Sequence, residues 1–298
     1  MNISPSANFL PGEGNLWQRV QAQTQHALNC GALQSLPTEH EFIEENGIAF
    51  LVRTLASLER KKQVKKQQDQ SFNPFLPYEE DLFVGNLSAT HLCLLNKYNV
   101  VDYHLLVVTR EFEAQENWLT AADFAALWTV MAEIEGLGFY NGGRAAGASQ
   151  SHKHLQVVPL PWVPGALDLP IAPLLGSLTR SNGIFRADFP FFHGIFPLHW
   201  HWTSAEAAGA ALLATYQTLL VALGSSPLSP SPCQTGPYNL LVTREWMLLV
   251  PRSQEQYASI SVNSLGFAGS LFVRNPQQLQ QLKELGPLTL LKAVAIPW

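Results

Sequence analysis

Two pairs of short apolar runs constrain this chain most: HLCLLN with YHLLVVTR, joined by KYNVVD, and YNLLVTRE with WMLLVPR, which have almost no chain between them. A parallel pairing needs a crossover of a dozen residues or more, so links this short force antiparallel hairpins. Between the pairs lie longer stretches with apolar residues at helical spacing. One runs from Leu119 to Leu137 behind Thr120 as N-cap, with Phe124, Leu127, Trp128, Met131 and Ile134 on its face; a second runs from Ala205 to Leu223. An opening helix is expected over Leu16 to Leu33 and a strand over Ile48 to Leu58. Strands grouped as hairpins with helices between them predict an α+β fold, an antiparallel sheet with packed helices. The proline-rich PLPWVPGALDLPIAPLLG resists regular structure and reads as a connector. It divides the chain into residues 1–165 and 183–298. NLLVTREWMLLVPRS faintly echoes LLNKYNVVDYHLLVVTR, which suits two related sheet units or ordinary hairpin composition.

A 298-residue chain that is 47% hydrophobic can bury a large core, in one big domain or two intimately packed ones. Its net charge of −5 supplies no global field for nucleic acid or an anionic membrane, so any phosphate site must be local. Cys30, Cys93 and Cys233 lie far apart and form neither a CxxC knuckle nor a disulfide framework, which fits a reducing cytoplasm. The start has no signal-peptide pattern, and no stretch is expected to approach the ~20 apolar residues of a membrane span. A soluble, uncleaved cytoplasmic protein is the expectation. The basic segment Arg60, Lys61, Lys62, Lys65 and Lys66 is either a solvated loop or a set of cations that closes over a phosphate chain.

The chemistry concentrates in Asn141-Gly-Gly-Arg-Ala-Ala-Gly-Ala-Ser-Gln-Ser-His-Lys-His-Leu-Gln156. If 152–158 is a strand, alternation places His152, His154 and Gln156 on one face and Leu155 and Val157 on the other. The preceding run of Gly142, Gly143, Gly147, Ala148 and Ser149 is small enough for backbone N–H groups to approach an anion. Neutral imidazole is abundant near pH 7 and its P–N bond is reactive, so a histidine beside a phosphate cradle points to covalent transfer. Gln156 can hold a phosphate oxygen without acting as a base toward water. The alternatives for an H-x-H pair are a metal site or a packed core histidine. A second pair, His199 and His201, lies among Phe191, Phe192, Phe196, Trp200 and Trp202, an aromatic packing region, and is left out of the site.

These residues resemble the transferase branch of the histidine triad superfamily, which carries H-x-H-x-Q. Asn141, Gly147, Ser149, His152, His154 and Gln156 also match the spacing in galactose-1-phosphate uridylyltransferases. The resemblance is closer to diadenosine tetraphosphate phosphorylases (ATP adenylyltransferases), through LLNKYNVVDYHLLVVTREF, FYNGGRAAGASQSHKHLQ, YNLLVTREWMLLVPRS and NSLGFAGSLFVR, in order over most of the chain. It implies a histidine-triad-like fold and reversible phosphorolysis of diadenosine tetraphosphate to ATP and ADP, with His154 as nucleophile and adenylyl-histidine as intermediate. It further implies that Gln156 holds the α-phosphate, that Asn141 with Gly147, Ala148, Ser149 and Gln150 binds phosphate and ribose, and that His104 stands where smaller relatives orient the nucleophile. Asn96, Lys97 and Lys61 are implied to reach the nucleotide and its polyphosphate, as are Asn263, Ser264, Leu265, Ser270 and Arg274. Arg274 stands where lysine is common, exchanging a point charge for a planar fork.

The partners so implied are small nucleotides and phosphate, with no nucleic acid and no membrane. No tightly bound cofactor is expected. The uridylyltransferases' structural zinc uses a CxxC pair that this chain lacks, so no structural metal is expected either. Magnesium accompanying the polyphosphate is compatible with the charge to be neutralised. The rival functions are a dinucleoside polyphosphate hydrolase, disfavoured by Gln156 where hydrolases have a third histidine, a sugar-1-phosphate uridylyltransferase, and a non-catalytic nucleotide sensor. Oligomeric state is encoded by no motif.

Overall fold

A computed structural model describes residues 15–55, 73–225 and 231–298, apart from residues 164, 177 and 182. The chain opens with α1 (Leu16–Cys30) and the hairpin β1 (Thr38–Glu45) and β2 (Ile48–Leu55). Then follow β3 (Phe83–Asn86), β4 (His91–Leu95), β5 (Leu105–Thr109), α2 (Ala121–Glu133), β6 (Gly136–Gly142) and β7 (His154–Pro159). After the connector and its short α3 (Ala172–Leu175) come β8 (Thr179–Ser181), β9 (Ile184–Arg186), β10 (Gly194–Pro197), α4 (Ala205–Ala222), β11 (Tyr238–Val242) and β12 (Trp246–Pro251). The small pair β13 (Gln256–Tyr257) and β14 (Ile260–Ser261), α5 (Ser264–Phe267), β15 (Ser270–Val273), α6 (Pro276–Leu285) and α7 (Pro287–Val294) complete it.

Ten strands form one antiparallel sheet in the order β3-β4-β5-β7-β6-β11-β12-β10-β9-β8. Each half repeats one pattern: three strands, a helix, then two strands of which the second inserts beside the third. Two related sheet units are therefore present, joined at β6 and β11. The echo in the sequence matched the wrong parts, however. It likened β4–β5 to β11–β12, whereas the topology sets β11–β12 against β6–β7, so the likeness was hairpin composition. The units differ where it matters: β6 and β7 are joined by residues 143–153, β11 and β12 by residues 243–245 alone.

One face of the sheet is covered by α1, α2 and α4, whose Leu16, Phe124, Leu127, Leu212 and Leu219 pack on Leu105, Leu155, Val157, Leu240 and Leu249. On the other face Phe139, Leu241 and Leu248 pack against the second sheet, β1-β2-β15, and against α5 to α7. His154 and Gln156 point to this second face, as alternation predicted. Thr120 caps α2 and exchanges capping-box bonds with Asp123.

By length and composition α4 meets the criterion for a membrane span, contrary to the sequence expectation that no stretch would come near it. In the fold it is a core helix that packs on α2. Gly209 permits the close approach: a Cβ there would lie 2.4 Å from the Ala121 carbonyl oxygen and 3.0 Å from the Ala125 Cβ. Alanine in place of a helical glycine ordinarily stabilises by about 1 kcal/mol. Gly209→Ala is expected to do the opposite and cost about 1–3 kcal/mol through overpacking, seen as a lower urea midpoint with unchanged slope.

Candidate active site

β7 begins at His154, one turn of the zigzag later than the sequence reading, because Lys153 N–H donates to Glu113 O (2.8 Å) and His152 forms only an isolated bridge with Ala114. The two motif histidines still face the same way, since the Phe75 ring lies 5.6 Å from the His152 ring and 5.3 Å from that of His154. Their bonding differs. His152 Nε2 donates to Thr109 O at 2.9 Å, and Asn73 Nδ2 donates to His152 Nδ1 at 3.0 Å. His154 Nδ1 donates to the His152 carbonyl at 2.8 Å, and among the described residues its Nε2 has no partner. Buried histidines in the described chain are His91, His104, His152, His154 and His193. Only His154 keeps a ring nitrogen free: His91 bonds Thr90 and Asp123, and His193 bonds Phe191 O and Ala187 N–H. Burial holds His154 neutral, lowering its pKa to about 4 against the smaller upward pull of the His152 carbonyl. A neutral imidazole with its proton fixed on Nδ1 presents the Nε2 lone pair as a nucleophile.

His104 does not touch that imidazole through a hydrogen bond, which departs from the role its resemblance implied. Asn96 Nδ2 donates to His104 Nδ1 (3.1 Å), and His104 Nε2 donates to Gln156 Oε1 (2.9 Å). Burial lowers the His104 pKa to about 4 as well, so the ring can accept on one side and donate on the other. With its oxygen engaged, Gln156 has both Nε2 hydrogens without an acceptor among the described residues. The reason for the departure is register: β5 pairs Val108 with His154 and Leu106 with Gln156, and His104 lies just beyond the strand on the Gln156 side.

Asn141, Gly147 and the C-terminal half meet on the other side of His154, where β6 pairs with β11. Asn141 Oδ1 accepts from Asn239 Nδ2 (2.9 Å) and from the backbone and side chain of Ser264 (2.9 and 2.7 Å). Its Nδ2 has no acceptor among the described residues. Gly147, at φ +90°, has no room for a side chain, since a Cβ would stand 2.8 Å from Val262 O and 2.9 Å from Asn263 Cα. Arg252 ties these parts together: it is buried, its guanidinium donates to Asn239 Oδ1, Ala146 O, Val262 O and Val294 O, and burial lowers its pKa to about 9. Ala148 N–H is spent on Gly143 O, whereas the backbone N–H groups of Ser149 and Gln150 have no acceptor among the described residues.

The remaining expected residues fall as follows. Lys97 reaches Glu79 at 2.6 Å, so its charge is paired in this state. Asn263 caps α5 by accepting from Leu265 N–H, while Ser264, Leu265 and Ser270 are buried, the first as a buttress for Asn141. Arg274 is exposed just after β15. Lys61 and the rest of the basic segment lie outside the described residues. His199 and His201 are exposed, and the neighbouring Trp200 and Trp202 pack on the helical core, as an aromatic packing region should. Among the described residues one trio, His26, Cys30 and Asp81, holds metal-capable atoms within 4.8 Å of one another; it is exposed, with His26 bonded to Asp81, and shares no residue with the motif. Gln115, Asn239 and Arg252 were missed, because isolated polar residues in a sequence give no sign of which backbones they will bridge.

Residues 6–177 match the Ap4A phosphorylase N-terminal domain and residues 187–297 the ATP adenylyltransferase C-terminal domain. The chain is 28% identical to diadenosine 5',5'''-P1,P4-tetraphosphate phosphorylase 2 of Saccharomyces cerevisiae over 91% of either chain. It is 26% identical to Protein APA1 of the same yeast, over 89% of this chain and 88% of the other. The crystal structure of yeast Ap4A phosphorylase Apa2 superposes with a TM-score of 0.76 at 26% identity, covering 95% of this chain and 98% of that one, and that protein is also solved with AMP and with Ap4A. Both domain matches, in order and over nearly the whole length, show that the chain belongs to the Ap4A phosphorylase (ATP adenylyltransferase) family and is an enzyme, a nucleotidyltransferase.

Proposed function

We propose that this enzyme converts diadenosine tetraphosphate and phosphate reversibly to ATP and ADP, and that the adenylyl group passes through His154. The observation that carries the reading is that, among the described residues, His154 is the one buried histidine with a ring nitrogen left unpartnered, with the Gln156 amide on the same face. Nε2 donates its lone pair to the α-phosphorus, and the bond from that phosphorus to the bridging oxygen breaks. The electron pair leaves with ATP. The imidazole becomes cationic in the adenylate, and the His152 carbonyl, already bonded to Nδ1–H, stabilises that charge without reorganising. Phosphate then attacks the same phosphorus, the P–N bond breaks, and ADP departs with His154 neutral again.

Gln156 donates to a non-bridging oxygen, and Asn141 Nδ2 with the N–H groups of Ser149 and Gln150 is positioned to take further phosphate or ribose oxygens. Because Gln156 does not titrate, the site offers no base there to activate water, which favours transfer to phosphate over hydrolysis. Magnesium would enter with the polyphosphate as part of the substrate and neutralise its charge.

Incubation with diadenosine tetraphosphate is expected to give ATP and ADP in equal amounts only when phosphate is present. Without phosphate, adenylate labelled at the α-phosphorus should appear as acid-labile label on the protein. His154→Ala should abolish both, with turnover down by at least about 1,000-fold. ATP and AMP formed without phosphate would mark a hydrolase instead. The pH profile checks the electrostatics: protonation of His154 removes the nucleophile, and burial depresses its pKa, so kcat/KM for the dinucleotide should stay level from pH 8 to pH 5 and fall only as pH approaches about 4. An acid limb centred near 6.5, the value of a solvated histidine, would contradict a desolvated ring.

A further inference from the structure

We infer that Gln115 is a positioning residue whose side-chain amide stands in for a missing rung of the β-ladder and thereby fixes the direction of the His154 ring; the inference rests on the role proposed for His154. The ladder between β6 and β7 runs from Gly136↔Pro159 to Phe139↔Gln156 and stops there. Two residues farther on, the same register would pair Asn141 with His154. In place of that pair stands the Gln115 side chain. Its Oε1 accepts from His154 N–H at 2.9 Å, and its Nε2 donates to His154 O at 3.3 Å and to Asn141 O at 2.9 Å. One amide therefore holds both peptide groups that flank the His154 Cα, as a paired strand residue would, and bridges to the strand that carries Asn141.

The amide is itself held. Gln115 N–H donates to Ser151 O at 2.8 Å, and the Tyr140 hydroxyl donates to Gln115 O. Glu113, Ala114 and Gln115 run beside Ser151, His152 and Lys153 as a short irregular ladder. From below, the wholly buried Lys153 ammonium donates to Glu113 Oε2 (2.7 Å), Trp118 O (3.1 Å) and Asp123 Oδ2 (3.2 Å), which anchors the residue between the two histidines. Gln115 is fully buried, so it cannot touch substrate and acts only through what it holds. What it holds is decisive for geometry. The Nδ1–H bond from His154 returns to the carbonyl only two residues earlier, and that bond forms only while the peptide groups between them keep their orientation. If they rotate, the ring loses its fixed proton, and Nε2 is no longer always the bare nitrogen.

Gln115→Met keeps the length and bulk of the side chain and removes all three hydrogen bonds. The expected result is a kcat lower by about 100-fold, the loss that goes with a misplacement of about 1 Å, with KM for the dinucleotide changed by less than about threefold. A residue needed for folding alone would lower the folded fraction and leave this split unmoved. In the free protein, 15N spectra of labelled histidine should show His154 as the Nδ1–H form in the parent and as a mixture of tautomers in the variant. Gln115→Asn, one methylene too short to span both strands, should behave likewise if the methionine variant does not fold. In the parent itself the His154 amide should be protected from hydrogen exchange although its ladder partner is missing. The spectra need no substrate, so a parent that turns over without ever carrying adenylate would end the covalent reading and leave the tautomer result standing. A kcat within about threefold of the parent, an unchanged tautomer in the folded variant, or a freely exchanging His154 amide overturns the inference.

Discussion

A main-chain carbonyl governs this molecule: His152 O, which takes the Nδ1 proton of His154. A free imidazole shares its proton between two nitrogens and offers a nucleophile at either; here one nitrogen is spoken for, and burial keeps the ring uncharged. The carbonyl is available because the chain has not yet entered the sheet at residue 152. His152 turns its own ring into Thr109 and Asn73, and Lys153 is drawn beneath the sheet toward Asp123. The late start of β7 thus leaves that carbonyl to the His154 ring.

The sheet class, the capped helix α2, the alternation of His154 and Gln156 and the glycine loop before them were all legible, because each depends on residues close in sequence. Choosing between the two histidines was not, since it turns on which ring nitrogens the surroundings occupy. Resemblance to a family favoured His154, and His154 is the one whose Nε2 has no partner among the described residues. That His104 bonds Gln156 and not His154 was not legible, because strand pairing decides what lies beside it. Gln115, Asn239 and Arg252 act on groups dozens of residues away, and no local pattern announces such contacts. The repeat was sensed for a poor reason: tight hairpins look alike, while the true correspondence pairs the long loop of residues 143–153 with a three-residue turn.

The C-terminal half contributes rigidity more than reacting groups. Asn239 and Ser264 hold Asn141 by its oxygen, Arg252 closes the network by engaging carbonyls from three separate segments, and the backbone at Val262 and Asn263 rests on Gly147. Buried polar networks of this kind are costly when incomplete and specific when complete. Here the network is built around the glycine loop that precedes His154. The loop is therefore held in shape by the protein's own contacts.

The joint between β6 and β11 gives the proline-rich connector a different meaning from the one its composition suggests. Cutting there would free no self-sufficient pieces. Each fragment would present a long, apolar, unpaired border, Gly138 to Gly142 on one and Tyr238 to Val242 on the other, of the sort that recruits foreign strands and seeds insoluble material. The two units must be made together and stay together, and the tether between them serves mainly to keep each border within reach of its mate.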